Sequence, residues 1–461
     1  MSEALITTDK AGVDVSGCFD MATGILDRRI FTDEEIYQEE LKKIFGRAWN
    51  FVCHESQIPN PGDFMMNYIG EDEVIVVRDR QQSINVLLNS CPHRGNTVCR
   101  AELGNTRSFF CSYHGWNYDL DGRLIGMPGE DDFYRNNIDK KDWGLTPAAK
   151  VENYRGFYFA TLDPEAPPLE EYLGWVGKVG IDFMLAEGDI EFLDGIHKNR
   201  LQCNWKLAVD NLYDWYHVKV SHGSAIKIGI LDDALAAPDN QMVILGEYGH
   251  GIGGPGISEE EQARYDARMA SGEGEPQWYD QQAEKRTSPE TREMLGPVGR
   301  RSFGHPNIFP NLWVAQTNQV CLRIPRGPYE TELWWFNFRR KGMSEDEQKF
   351  SAFMQNHMFG PAGVLEQDDG ENWSHSTRGA KGTFSKTLPL NFSMGNKADQ
   401  VSQDPSGQSC IETVINEHAQ RWTYQSWQDW MAAENWPELI ANHSHPPVSY
   451  THLTLPTNRC V

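Results

Sequence analysis

The feature that most constrains this chain is a pair of short segments that each offer one cysteine and one histidine. Cys91-Pro-His93 is followed, after seventeen residues, by Cys111-Ser-Tyr-His114. Two thiolates on one iron and two imidazoles on the other hold a [2Fe–2S] cluster that accepts single electrons. Two cysteines and two histidines also satisfy the tetrahedral geometry of a structural zinc ion. The spacing therefore predicts a metal site and leaves both metals open.

Composition and charge narrow the class of protein around this site. The 461 residues are 39% hydrophobic and carry a net charge of -24, which is typical of a globular protein and repels a nucleic-acid backbone. The nine cysteines are scattered and odd in number, so clustered cysteines indicate metal binding rather than a disulfide framework. Apolar runs are shorter than the about 18 residues of a membrane helix, and the start lacks a signal-peptide pattern. We therefore expect a cytoplasmic protein with no nucleic-acid or membrane partner.

The pattern of secondary structure changes along the chain. Thr32-Asp-Glu-Glu35 is a capping box that predicts the start of an amphipathic helix. Short β-rich runs with a hairpin at Asp121-Gly122 then indicate a small all-β module. DPEAPP (163–168) is typical of a linker, and longer mixed α and β segments follow it. Between Gly251 and Thr291 the composition predicts a mobile loop with a solvated helix near Ser258 to Met269.

The sequences around the two Cys/His pairs resemble one known domain. CPHRG (91–95) and CSYHGW (111–116) are similar to the loops of the Rieske domain in the large subunits of ring-hydroxylating oxygenases. The resemblance favours an iron–sulfur cluster over zinc. It implies that the [2Fe–2S] ligands are Cys91, His93, Cys111 and His114. Cys99 matches neither motif position and is expected in the core.

A second candidate metal site lies between Asp210 and His222, where the sequence is DNLYDWYHVKVSH. The spacing predicts Asp210, Asp214 and His217 on one face of a helix. His222 follows His217 by five residues, so a helix end or a π-type turn is needed to bring both rings to one metal. Two imidazoles and one carboxylate on one face of Fe(II) leave the opposite face free for O2 and substrate. The carboxylate must come from another segment.

The same family resemblance supplies that carboxylate. FGPAGVLEQDD (359–369) resembles a family segment in which the second Asp binds the iron. The resemblance implies that Asp369 joins His217 and His222 as a ligand of a mononuclear Fe(II). Asp368 offers the same chemistry one residue earlier and stays an alternative.

Asp214 resembles the catalytic bridging carboxylate of the family. In that family it joins an iron-ligating histidine to a cluster-ligating histidine of the next subunit, which here implies His217 and His114 of the partner subunit. Other histidines lack a partner at ligand spacing. We predict that the following are not ligands: His54, His197, His250, His305, His357, His375 and His418.

One nucleotide-binding motif is rejected on electrostatic grounds. Residues 251–256 satisfy G-x-G-x-x-G, but Glu259, Glu260 and Glu261 crowd the following helix start, where a pyrophosphate needs positive potential. We therefore expect a separate reductase to oxidise NAD(P)H, directly or through a ferredoxin. Positive charges near the cluster motifs are either a docking site for an acidic electron donor or solvated loop charges. They are Arg94, Arg100 and Arg107.

Residues from about 10 to 447 resemble the large (α) subunit of Rieske non-heme iron aromatic ring-hydroxylating dioxygenases. The resemblance implies an α+β fold, with an all-β Rieske domain (46–165) inserted into a catalytic domain (1–45 and 166–447) that has an antiparallel sheet surrounded by helices. It implies a homotrimer or an α3β3 assembly with a small β subunit. It also implies cis-dihydroxylation of an aromatic ring with O2 and two electrons.

Three alternatives to the dioxygenase remain open from the sequence. A Rieske-type monooxygenase or O-demethylase would have the same two metal sites. An electron carrier would hold two irons per chain rather than three, and a zinc-stabilised binding protein would be colourless.

The substrate and the C-terminus are less constrained. Apolar residues flank the predicted iron ligands and favour an apolar aromatic ring, and no arginine stands beside the iron motifs to pair with a substrate carboxylate. VSYTHLTLPT (448–457) looks like the translation of a transposase adapter used in shotgun sequencing. We therefore expect residues 448–461 to be a non-native tail.

Overall fold

The chain divides into two units. Of the described residues, one unit comprises 13–14 and 38–169, and the other comprises 15–37 and those from 170 onward. The computed structural model describes residues 13–231, 241–275, 280–315, 317–396, 399–403, 407–413 and 415–447. The suspected tail, 448–461, lies outside the described residues.

The strands and helices of the described residues are numbered in chain order. The strands are β1 Phe19–Asp20, β2 Ile25–Leu26, β3 Asn50–His54, β4 Asp63–Ile69, β5 Asp72–Arg78, β6 Ile84–Leu88, β7 Leu103–Asn105, β8 Phe109–Phe110, β9 Asn117–Tyr118, β10 Leu124–Gly126, β11 Lys150–Tyr154, β12 Phe157–Thr161, β13 Ile190–Leu201, β14 Gln241–Leu245, β15 Gly251–Pro255, β16 His305–Ile308, β17 Leu312–Ala315, β18 Gln319–Pro325, β19 Thr331–Arg340, β20 Leu390–Asn391, β21 Val401–Gln403 and β22 Ser409–Thr413. The α-helices are α1 Glu34–Glu40, α2 Leu169–Leu185, α3 Trp205–Asp210, α4 Val218–Ser221, α5 Gly223–Lys227, α6 Glu259–Ser271, α7 Asp280–Glu284, α8 Pro289–Gly299, α9 Glu345–Met358, α10 Val364–Ala380, α11 His418–Ala432 and α12 Trp436–Asn442.

The unit of residues 38–169 is built from antiparallel strands. One sheet has the order β6-β5-β4-β7, and two smaller sheets have the orders β10-β9-β8 and β11-β12-β3. Residues 74–77 of β5 are all apolar and all buried, so both faces of this strand are covered. The first Cys/His loop follows β6, and the second lies between β8 and β9. Both loops therefore begin where a strand ends.

The other unit contains a long antiparallel sheet. Its strand order is β13-β19-β18-β17-β16-β15-β14-β22-β21. Helix α3, which leads into the second candidate metal site, contacts both α10 and α11. Every residue of β18 is buried, as expected for a strand covered on both faces. One unit of antiparallel strands and one unit with an antiparallel sheet and helices confirm the predicted α+β fold class.

Two local predictions need correction. The first helix does not begin at Thr32, because Thr32 ends a 3₁₀ helix over Arg28–Phe31. Asp33 takes the capping role instead, since its Oδ1 accepts the N–H groups of Glu35 (2.9 Å) and Ile36 (3.3 Å). The predicted mobile loop from residue 251 is also wrong at its start, because Gly251–Pro255 forms the buried strand β15.

The helix predicted near Ser258 is confirmed. It forms α6, and the Ser258 side chain and the Glu261 side chain cap its first turn reciprocally. Among the described residues, no helix combines the length and the apolar character that a membrane crossing requires.

Candidate metal centres

The two Cys/His loops adopt the same type of backbone turn. The Gly95 N–H donates to the Cys91 carbonyl (2.7 Å), and the Gly115 N–H donates to the Cys111 carbonyl (2.9 Å). Both glycines have positive φ, +71° and +77°, a conformation that other residues adopt at a cost. The turn therefore explains the glycine that follows each Cys/His pair and gives the two loops matching geometry.

The two thiols of these loops are buried and have donors beside them. Cys91 and Cys111 are 2% and 1% exposed. The Tyr118 hydroxyl lies 3.0 Å from Cys91 Sγ, and the Asn96 side-chain amide donates to Cys111 Sγ at 3.6 Å. Hydrogen bonds to cluster sulfurs are one of the means by which a protein sets a reduction potential. Tyr118 and Asn96 are residues that motif reasoning missed.

The two imidazoles lie side by side. The ring centroids of His93 and His114 are 4.5 Å apart, and His93 stacks on Trp116 at 5.0 Å with an interplanar angle of 4°. His93 Nδ1 is buried and has no hydrogen-bond partner among the described residues. Burial, with the positive charges of His114 and Arg94, lowers the pKa of His93 and so favours the neutral ring that a metal requires. An orphaned, neutral ring nitrogen beside buried thiols fits a [2Fe–2S] cluster.

The second group of predicted ligands also converges. His217 Nε2 lies 3.1 Å from His222 Nε2, and Asp369 Oδ1 lies 3.2 Å and 3.3 Å from these two nitrogens. Donor atoms at right angles around an ion with bonds of about 2.1 Å lie about 3 Å apart. The three side chains therefore fit one face of an octahedral metal ion, as the Fe(II) site requires.

The backbone reaches this geometry by a bend at Asp214, where the sequence had predicted a continuous helical face. A single helical face for Asp210, Asp214 and His217 is wrong, because α3 ends at Asp210 and Asp214 has non-helical dihedral angles (φ -87°, ψ 75°). Asp214 Oδ1 accepts the His217 backbone N–H at 3.1 Å, which starts a new turn. His217 and His222 then flank the short helix α4, so the helix-end arrangement is the one observed.

Asp210 has a different partner. It is partly buried beside Tyr424, whose hydroxyl donates to its Oδ2. Burial raises the pKa of Asp210 well above its ordinary value. Its carboxyl group therefore faces a tyrosine, and Asp214 alone of the pair contacts His217.

The adjacent carboxylates of α10 contact opposite nitrogens of one ring. Asp369 is 7% exposed and faces both imidazole Nε2 atoms. Asp368 Oδ2 lies 3.3 Å from Nδ1 of His222, on the far side of the ring. Successive helical residues point in different directions, so only one of them can enter the group of three. This geometry favours Asp369 over Asp368 as the predicted metal ligand, and it places Asp368 where it can orient His222.

The electrostatics of this group attract positive charge. Burial opposes a charged His217, but the hydrogen bonds that its ring donates to Asp214 and Asp369 outweigh it and raise the pKa of His217 to about 10. Burial likewise opposes the Asp369 carboxylate, but hydrogen bonds from the two histidines lower its pKa to about 2. The pocket therefore stabilises a cation among these side chains.

A cavity with an empty volume of about 680 Å³ opens beside the three side chains. The flanking apolar residues Leu212, Trp215 and Leu365 line it, whereas Val364 packs against the core. Sequence reasoning missed further walls, of which His305, Trp313, Thr317 and Arg323 come from a distant segment. The others are Val218, Leu231, Met358, Phe359 and Trp373.

Arg323 corrects one expectation. The residues that flank the predicted iron ligands in sequence include no arginine, but Arg323 of strand β18 lines the cavity. Its position in the sequence was a usable signal, because it is the one charged residue in the buried run of residues 320–324. A charge in a strand that is otherwise apolar is rarely buried without a reason.

The glycines of the rejected nucleotide motif have a packing role. Gly251 and Gly253 lie on β15, where an added Cβ would come within 3.1 Å of Tyr213 Oη and 3.0 Å of Tyr213 Cδ1. Tyr213 belongs to the 3₁₀ turn before Asp214. A buried strand is not a loop that opens a helix, so the motif has no phosphate-binding geometry.

Comparison with known proteins gives the same two parts. The Rieske [2Fe-2S] domain matches residues 48–149, and the catalytic domain of the ring-hydroxylating alpha subunit matches residues 182–433. Biphenyl 2,3-dioxygenase subunit alpha of Rhodococcus jostii (strain RHA1) is 37% identical over 456 residues, covering 95% of each chain. Benzene 1,2-dioxygenase subunit alpha of Pseudomonas putida is 36% identical over 447 residues, covering 93% of this chain and 96% of its own.

A solved structure agrees with these relatives. Naphthalene 1,2-dioxygenase from Rhodococcus sp. bound to indole matches with a TM-score of 0.75 and 33% identity, covering 89% of this chain and 95% of that one. The chain therefore belongs to the large subunits of Rieske-type ring-hydroxylating dioxygenases. These are oxidoreductases that incorporate O2 and use a [2Fe–2S] cluster and a mononuclear iron. Membership sets aside the zinc-binding protein and the electron carrier, and it favours a dioxygenase over a monooxygenase.

Proposed function

We propose that this chain uses O2 and two electrons to add two cis hydroxyl groups to an aromatic ring held beside His217, His222 and Asp369. The observation that carries the proposal is the convergence of these three side chains on one point at an apolar cavity. When bound, the [2Fe–2S] cluster supplies single electrons and the ferrous ion activates O2. Cys91, His93, Cys111 and His114 hold the cluster, and His217, His222 and Asp369 hold the iron.

The chain's own residues orient the site and shape the cavity. Asp214 Oδ1 lies 3.4 Å from His217 Nδ1, and Asp368 Oδ2 lies 3.3 Å from His222 Nδ1. Each carboxylate fixes the ring nitrogen that faces away from the iron position, as carboxylates behind metal-binding histidines commonly do. The indole of Trp215 and the ring of Phe359 form apolar walls that hold an aromatic substrate and exclude water.

We further propose that electrons pass between subunits. Asp214 would accept a hydrogen bond from His114 of the partner subunit while it stays bonded to His217. Its side chain is 23% exposed, which leaves an oxygen available for a second partner. The assembly would be a homotrimer or α3β3 with a small β subunit, since transfer from one chain to the next closes on itself in a ring.

Replacement of this residue tests the route. We expect Asp214→Asn to retain both metal centres and reducible cluster absorbance, with turnover at least about 100-fold lower because the bridge is weakened. Unchanged turnover would rule out Asp214 as the connection.

The electron donor is proposed to be a ferredoxin or an NAD(P)H-dependent reductase. Arg94, Arg100 and Arg107 are all exposed and lie in or near the cluster loops. In a chain with a net charge of -24, such a local positive group steers an acidic donor. Arg100→Glu should slow reduction by the native donor at low salt, and an unchanged rate would leave these arginines as solvated charges.

The eight described cysteines are all free of disulfides, which supports a cytoplasmic location.

Labelled oxygen tests the reaction itself. The purified chain, supplied with its electron-transfer partners and ¹⁸O2, should convert an aromatic compound to a cis-dihydrodiol that contains two labelled oxygens. A product with one labelled oxygen, or a demethylated product, would instead support the monooxygenase or O-demethylase alternative.

A further inference from the structure

The cavity beside the iron position contains a buried cation. Arg323 lines the cavity and is 1% exposed. Its Nε and Nη1 are buried and have no hydrogen-bond partner among the described residues. The guanidinium carbon lies 5.0 Å from the centre of the Trp313 ring, so one face of the group rests on an aromatic surface. A cation–π contact of this kind provides no acceptor for the Nε and Nη1 donors.

The neighbouring carboxylates do not pair with this guanidinium. The charges of Glu366 and Asp369 interact electrostatically with Arg323. Among the described residues, neither carboxylate forms a hydrogen bond or an ion pair with it. Asp369 is also turned toward His217 and His222. A ferrous ion held there would neutralise that carboxylate further. The end of the cavity at Arg323 therefore carries unbalanced positive charge.

A charge in this state is costly to the folded chain. Burial of an arginine without hydrogen bonds or a counter-ion is strongly unfavourable, and such groups are rare in proteins unless a ligand completes them. A neutral hydrocarbon in the cavity would displace water and leave the guanidinium without a partner. A carboxylate on the substrate would accept two parallel N–H bonds from the planar fork.

We infer that Arg323 recognises a carboxylate on the substrate, so that this enzyme acts on an aromatic acid. The apolar walls would hold the ring beside the iron position while Arg323 holds the carboxylate and fixes which ring edge faces the metal. This inference rests on the proposed function and narrows its substrate class. It also separates this chain from the relatives named for biphenyl and benzene.

Binding of matched ligands to the iron-loaded enzyme tests the inference without turnover. The probes are 2-naphthoate and its neutral analogue 2-naphthamide, measured by titration calorimetry under anaerobic conditions. The wild type should bind the acid at least about 10-fold more tightly than the amide. Arg323→Gln should weaken acid binding by about 100-fold and leave the amide within a few-fold. Arg323→Lys should recover part of the acid affinity, because it keeps the charge without the fork.

A matched control lies just after the same strand. Arg326 follows β18 and already pairs with Glu332 at 2.8 Å, and it does not line the cavity. Arg326→Gln should therefore leave the preference for the acid intact. Equal or tighter binding of the amide by the wild type would overturn the inference. So would an Arg323→Lys enzyme that folds with full metal content and loses acid and amide binding equally.

Turnover with ¹⁸O2 separates the two levels of the proposal. A labelled diol from 2-naphthoate, formed with higher kcat/KM than from 2-naphthamide, supports both levels. A diol formed from the amide with equal or higher kcat/KM overturns the role of Arg323 and leaves dioxygenation standing. If neither compound yields a diol while the acid still binds through Arg323, the proposed reaction fails and the anion site stands.

Discussion

The two candidate metal centres are built in opposite ways. The proposed cluster ligands come from two loops that adopt the same turn and are seventeen residues apart. The second centre joins the turn around His217 and His222 to helix α10, and His222 lies 146 positions from Asp368. A local site carries most of its geometry in its own sequence, whereas a non-local site depends on the packing of a whole unit. The two centres should therefore respond differently to substitution and to pH.

The largest expected effect is the independent loss of each centre. Cys91→Ser should abolish the visible absorbance of the cluster, because it removes a thiolate ligand. Asp369→Ala should keep that absorbance and lose one iron of three per chain. Either change should lower turnover by more than about 1,000-fold, since both centres are needed. The measurements are iron content, absorbance and product formation.

A buried cysteine outside the loops provides the control for this experiment. Cys99 is 7% exposed and packs in the same core as Cys91. Cys99→Ser should retain the cluster. Loss of cluster absorbance in Asp369→Ala would mean that the two centres are not separable as described.

Low pH should lower the stability of the unit that contains the candidate iron site, because His250 is buried in that unit as a neutral ring. This histidine is fully buried, with Nε2 2.8 Å from the Tyr172 carbonyl and Nδ1 accepting the Phe309 N–H at 3.0 Å. Only the neutral ring satisfies both bonds, and burial lowers its pKa to about 4. The unfolded chain gains this proton near pH 6.5 and the folded chain does not. Stability present above pH 6.5 is therefore lost as the pH falls toward 4, by about 3 kcal/mol in total.

Urea unfolding followed by tryptophan fluorescence checks this pH dependence. His250→Gln should be less stable than the wild type at pH 7.5, because two hydrogen bonds change. Its further loss of unfolding free energy between pH 7 and pH 4 should be smaller than that of the wild type by about 3 kcal/mol. Parallel losses in the two proteins would show that His250 does not titrate in this way.

The adjacent aspartates of α10 should differ in their effect on iron. Asp368→Asn weakens the bond that orients His222 and should lower iron affinity by about 10-fold to 100-fold. Asp369→Asn removes a charged ligand and should leave the lone iron site largely empty. Competition with an iron chelator measures both, with cluster absorbance as the internal control. If Asp368→Asn lost more iron than Asp369→Asn, the two roles would be reversed.

The smallest expected effects are changes in stability when one glycine near each centre is replaced by alanine. Gly95 in the cluster loop has φ +71°, so Gly95→Ala should destabilise by about 1 kcal/mol. Gly223 follows His222 at the start of α5 without positive φ, and an added Cβ meets no atom within 4 Å. Gly223→Ala should therefore stabilise by about 0.5 kcal/mol. Thermal unfolding measures both, and shifts of the same sign would contradict the contrast.

The contrast between a local and a non-local centre also explains which features could be predicted from the sequence. The candidate cluster residues could be proposed from the sequence because the loops are local and their spacing is fixed. The bend at Asp214 was not readable, because helical spacing alone suggests one continuous face from Asp210 to His217 and the break depends on the Asp214 bond to the His217 backbone. Thr32 failed as a cap for a similar reason, since a preceding 3₁₀ helix shifted the start by one residue.

The cavity wall marks the limit of that reasoning. Leu212, Trp215 and Leu365 were accessible because they flank the ligands in sequence. Trp313 and Arg323 come from strands of the long antiparallel sheet, and only tertiary pairing brings them to the iron position. A buried charge in an apolar strand can be noticed in a sequence, but the partner it faces cannot.

Mixed assemblies test most directly the claim that the two centres act together across a subunit boundary. Cys91→Ser chains lack the cluster and Asp369→Ala chains lack the lone iron, so no single chain in a mixture has both. If electrons cross between neighbouring subunits, co-assembled oligomers at equal ratio should recover turnover at about a quarter of the wild-type level per chain. Turnover no higher than that of the separate variants, in oligomers shown to contain both chains, would contradict the account.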